Sequence, residues 1–95
     1  MNMAAARDFE KADAELNVVF KKLVVLLDEE GKKKLVAAQR AWLVFRDAQA
    51  TFDADAMRGG SAARGLYSAT REDLTEQRTV ELKKMLKFAE AYPAR

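Results

Sequence analysis

Three observations predict an all-α fold, an antiparallel three-helix bundle in which residues 1–95 form a single domain. Apolar side chains recur every three or four positions along three separate stretches, the period of one helix face. Glycines interrupt that period at Gly31 and again at Gly59-Gly60. No stretch shows the two-residue alternation of a half-buried strand, and the β-branched pair Val24-Val25 falls inside the first helical stripe.

The first helix is expected over residues 7–29. Phe9, Ala12, Leu16, Val19 or Phe20, Leu23 and Leu26 or Leu27 form its stripe, with Glu10, Lys11, Glu15, Lys21 and Lys22 between them. A break is expected within one or two residues of Gly31, where glycine would serve as a C-cap, although Asp28, Glu29 and Glu30 in a last turn oppose the helix dipole.

The second helix is expected over 32–57, with Leu35, Ala38, Trp42, Phe45, Gln49 and Phe52 on one face. Arg58-Gly59-Gly60-Ser61 ends it and opens a loop over 58–65, because adjacent glycines add backbone freedom that a helix interior penalises. The third helix is expected over 66–90, ending before Pro93. Ser68 or Thr70 would supply its N-cap, and Thr70 to Asp73 has the spacing of a capping box. The core would then be Leu16, Phe20, Leu23, Leu27, Leu35, Trp42, Phe45, Leu74, Leu82 and Met85, each worth about 1.5–3 kcal/mol when fully buried.

Composition narrows the chemistry. With no Cys and no His, the chain has no disulfide, no thiol nucleophile, no zinc site of the usual kind and no imidazole base. The net charge is +2, with 17 basic residues interleaved among 15 acidic ones, so no strong pull toward nucleic acid or anionic lipid follows. The longest apolar run, Leu23 to Leu27, is far below the roughly twenty residues of a membrane-spanning helix. MNMAAARDFE lacks a basic region followed by a long apolar segment, so no signal peptide is expected in it. No cofactor, metal or nucleic-acid partner is implied.

Candidate functional residues fall into two groups. Asp13, Asn17, Gln39, Trp42, Arg46, Asp47 and Arg78 lie on or beside the apolar stripes. They read as an internal polar network that braces a buried indole, with Gln39 or Asn17 serving the Trp42 N–H and Arg46 pairing with an acid of a neighbouring helix. A polar pocket at one end of the bundle is the other reading. The loop residues Arg58, Gly59, Gly60, Ser61 and Arg64 combine guanidinium groups, a hydroxyl and exposed amides, a set that could enter an acidic cleft, cradle an anion or simply connect two helices. Asp53 with Asp55, and Glu72 with Asp73, have spacings that do not aim two carboxylates at one point. Lys32-Lys33-Lys34 and Lys83-Lys84-Lys87 have acidic neighbours and read as solvated helix faces.

The order ADAELN (residues 12–17), AQRAWLVFRD (residues 38–47), Gly59-Gly60-Ser61 and LTEQR (residues 74–78) resembles the LprI-type lysozyme-inhibitor family of bacteria, from about Met1 to Leu86. The resemblance implies a small helical, non-enzymatic envelope protein, periplasmic or secreted, whose partner is a lysozyme or another envelope protein. A full-length chain without a leader would instead be cytoplasmic. Members commonly carry cysteines where this chain has Ala4, Ala50 and Ala69 or Thr70, so the family's disulfides cannot form here. The inhibitory surface expected from the resemblance and the residues together is the 58–65 loop. The alternative is a structural or interaction module that forms a homodimer or a hetero-oligomer and inhibits nothing.

Overall fold

The first amphipathic stretch forms α1, Met3–Val24, in a computed structural model that describes residues 3–93. Its stripe buries Ala12, Leu16, Val19 and Leu23, with Phe20 and Leu27 half-buried against them. The chain then turns through residues 25–28, where Leu26 N–H donates to Leu23 O and Leu27 N–H to Val24 O.

The break precedes its expected position, and Gly31 is not a C-cap. Asp28 is the N-cap of α2, Glu29–Ala54, and its carboxylate accepts from the Gly31 N–H at 2.8 Å. Glu29 and Glu30 thus occupy the first turn of a new helix, where acidic side chains favour the dipole instead of opposing it. A single 3-10 turn, Asp55–Met57, extends α2.

The third helix, α3, spans Ala63–Ala91, three residues longer at its start than expected, so the connecting loop shrinks to residues 58–62. Ser68 and Thr70 are inside α3 and form no capping box. The Thr70 hydroxyl donates to Asp53 Oδ2 at 2.8 Å instead. Gly59 has φ +79°, the left-handed conformation that lets the chain reverse between α2 and α3.

α3 is the spine of the molecule: it packs on both α1 and α2, which hardly approach each other through their backbones. The contacts Gln39–Arg78, Asp47–Arg71 and Asp53–Thr70 run in opposite order along α2 and α3. The result is an elongated body of 53 × 21 × 15 Å. Its core runs through Leu16, Val19, Leu23, Leu82 and Ala89, with Leu35 and Trp42 packed on the edge.

The buried stripe of α2 departs from the expected one. Gln39, Arg46 and Ala50 point inward, whereas Phe45 is 53% and Phe52 73% exposed. Apolar periodicity placed the phenylalanines inside, but α2 is rotated so that a glutamine and an arginine meet partners on α1 and α3. Met85 also lies outside the core, at 38% exposure. No helix among the described residues is long and apolar enough to cross a membrane.

Candidate functional site

The inward rotation of α2 creates a polar layer between the helices. Arg46, 4% exposed, donates through Nε to Asp47 Oδ1 at 2.9 Å, and through Nη1 to Asp13 Oδ1 on α1 and Thr75 Oγ1 on α3, both at 3.5 Å. Its guanidinium lies between two rings, with Cζ 5.1 Å from the Phe9 centroid and 5.3 Å from that of Trp42. A buried cation is tolerable when it is paired and packed, and here Nε and Nη1 have oxygen acceptors while two rings lie against the guanidinium. One side chain of α2 thereby ties α1 and α3 together.

Arg71 extends the layer. It donates through Nε to the same Asp47 oxygen at 3.1 Å and stacks on Phe9 at 3.9 Å. Burial pushes the Asp47 carboxyl up, but the hydrogen bonds and charges of Arg46 and Arg71 outweigh it, and its pKa lies below the ordinary 3.8. Two turns further along α3, Arg78 donates to Gln39 Oε1 at 3.0 Å and to Glu81 Oε1 at 3.2 Å, with Cζ 5.9 Å from the Trp42 ring. The Thr79 hydroxyl returns to Thr75 O at 2.9 Å.

Of the expected network, Asp13, Gln39, Trp42, Arg46, Asp47 and Arg78 come together in this layer. Asn17 does not, because it faces solvent on α1. The oxygen of Gln39 accepts from Arg78 and not from the Trp42 indole N–H it was expected to serve. Arg71, Thr75 and Phe9 went unnoticed as members, although Arg71, Thr75 and Arg78 recur at four and three residues and so share one face of α3. With both carboxylates held by guanidinium groups, the arrangement braces three helices and presents no free acid or base.

The α2–α3 turn sits at the far tip. Arg58 grips Asp55 through two bonds, Nε–Oδ1 at 2.9 Å and Nη2–Oδ2 at 2.6 Å, so this arginine is already engaged within the chain. Gly60 N–H donates to Met57 O, while Ser61 and Arg64 are exposed. Beside the turn is a recess of about 450 Å³ lined by Phe52, Asp53, Asp55, Ala56, Leu66 and Thr70. A second recess, of about 170 Å³ between α1 and α3, gathers Asp8, Glu15, Glu72 and Glu76 around Lys11. There partial burial raises the Glu72 carboxyl above 4.5, and the charges of Glu76, Asp8 and Asp73 raise it further.

Comparison with known proteins adds the lineage. No solved structure matches the chain. An uncharacterized protein of Rhizobium meliloti (strain 1021) is 34% identical over 103 residues, covering 95% of this chain and 74% of the relative. The family model described as "Lysozyme inhibitor LprI" matches residues 1–82, which include the buried arginine layer and the glycine turn. The chain therefore belongs to the LprI lysozyme inhibitor family.

Proposed function

We propose that this protein is a non-enzymatic binding protein of the bacterial envelope that inhibits a lysozyme through its α2–α3 turn. Membership of the lysozyme inhibitor family over residues 1–82 is the observation that carries this reading. The shape of the tip supports the choice of surface: Ser61 and Arg64 are exposed on a short turn, next to exposed Met57 and Phe52 and an acidic-apolar recess. A protruding hydroxyl and guanidinium suit the carboxylates of a polysaccharide-cleaving cleft. Arg64 is the better anchor, since Arg58 would first have to leave Asp55.

The test is clearing of a peptidoglycan suspension by representatives of each lysozyme class, with the protein added at increasing ratios. Stoichiometric inhibition of one class is expected, lost by at least tenfold in Arg64→Glu and weakened in Ser61→Ala. Failure to inhibit any class overturns the reading.

A second reading, pairing with another copy, is favoured by the outer face of α2. Ala37, Ala41, Val44, Phe45, Ala48 and Phe52 line up on the side opposite α3, all of them exposed. A helix face of this length offers on the order of 500 Å² per copy, so a two-fold pairing approaches the roughly 1,000 Å² of a specific interface. Sedimentation equilibrium decides it: a dimer that Phe45→Glu converts to monomer supports pairing, and a strict monomer removes it.

A further inference from the structure

The fold collects at one pole what the sequence scatters over three segments. Lys21 and Lys22 close α1, Lys32 to Lys34 sit in the first turns of α2, and Lys83, Lys84 and Lys87 belong to the last turns of α3. These three helix ends meet around Leu23, Leu35 and Ala89. Every lysine of the chain except Lys11 is therefore at this end. Lys32, Lys34 and Lys83 pair with Glu29, Glu30 and Glu15. Lys21, Lys22, Lys33, Lys84 and Lys87 are exposed and enter no ion pair among the described residues.

The same pole carries unburied apolar groups. Val25 is 77% exposed, Phe88 65% and Tyr92 69%, and the last two stack with centroids 4.8 Å apart. Between them and α2 opens a recess of about 290 Å³ lined only by apolar side chains, Leu23, Leu27, Leu35, Met85, Phe88 and Ala89. A neighbouring recess of about 300 Å³ has Val36 and Ala37 as its floor and Lys32, Lys33 and Arg40 around it. Lys83, Lys84, Lys87, Phe88 and Tyr92 lie beyond residue 82, where the family match ends.

We propose that this pole docks on an anionic phospholipid surface, its lysines at the level of the phosphates and Val25, Phe88 and Tyr92 inserted among the acyl chains near the headgroups. Clustered lysines beside exposed aromatic and aliphatic side chains are the chemistry of interfacial lipid binding. Nucleic acid would use the charge but gains nothing from an aliphatic valine and an apolar recess, since it is gripped by phosphate contacts and base stacking. End-on docking leaves the α2–α3 turn, at the opposite end of a 53 Å body, directed away from the membrane.

The test is co-sedimentation of the full chain with vesicles of phosphatidylcholine alone, or of equal parts phosphatidylcholine and phosphatidylglycerol. Binding to the anionic vesicles at low salt is expected, at least tenfold above the neutral ones, and largely lost at high salt. Lys84→Glu with Lys87→Glu lowers the partition at least tenfold. Phe88→Ser lowers it severalfold without removing the salt dependence. All three positions are exposed, and circular dichroism verifies that the variants remain helical. Equal binding to both vesicles, no binding, an undiminished Lys84→Glu/Lys87→Glu variant, or tighter binding to duplex DNA than to anionic vesicles overturns the proposal.

Discussion

Arg78 on α3 donates from Nε to Oε1 of Gln39 on α2 at 3.0 Å, joining residues 39 positions apart. Gln39 is 6% exposed and the Arg78 side chain 12%, so neither group can readily exchange its partner for water. Gln39→Leu fits the volume but removes the acceptor of a charged donor. It is expected to cost about 1.5–3 kcal/mol in denaturant unfolding. An unchanged midpoint would show that Glu81 alone satisfies Arg78.

Arg46 makes the stronger demand. Arg46→Ala removes the cation between Asp13 and Asp47 and empties the space between Phe9 and Trp42. Because the two carboxylates are part-exposed and can rehydrate, the loss is expected at the lower end of the range for broken buried pairs, about 3 kcal/mol. Arg46→Met, which keeps the packed stem, is expected to lose less than half of that by the same measurement. Equal losses would mean that charge pairing outweighs packing.

The two shifted carboxyls act in opposite directions with pH. Asp47 has a folded pKa below 3.8, so its contribution is complete above that value and is lost as pH falls through it toward the folded pKa. Glu72 has a folded pKa above 4.5, so stability is lost as pH rises from 4.5 through the folded value. Thermal melts across pH 2 to 7 should therefore show Asp47→Asn less stable than the parent at neutral pH, with the gap closing at acid pH. Glu72→Gln should be more stable at neutral pH and equal to the parent in acid.

At Gly59 the constraint lies in the backbone. With φ +79° and nothing within 4 Å of where a Cβ would stand, alanine meets no clash but must adopt the left-handed conformation. Gly59→Ala is expected to lower stability by about 1 kcal/mol, and Gly59→Asn by less, since asparagine tolerates that region better. Both are read from unfolding midpoints. Equal stability of all three would mean that the turn rearranges.

The residues bearing on the site were legible to different degrees. Arg46 and Gln39 stood out as polar groups beside apolar stripes, yet of the apolar stripe expected on α2 only Leu35 and Trp42 pack on the core, while Phe45 and Phe52 lie on its outer face. Hydrophobic periodicity assigns the interior to apolar side chains, and here two polar groups displaced phenylalanines because partners waited on α1 and α3. The α2 start was misread for a local reason. Asp28 and Gly31 are compatible with a helix end or a helix beginning, and only the bond between them selects the second.

The sequence alone determined that three helices form, in what order, and that the second break falls at Gly59-Gly60, since a repeat of three to four residues and a left-handed glycine are properties of neighbouring positions. It also marked the family. Only the tertiary structure decided which side of α2 is buried, that Arg71 and Thr75 complete the arginine layer, and that three lysine clusters become one pole. Those outcomes depend on residues tens of positions apart, and packing against α3, not local spacing, brings them together.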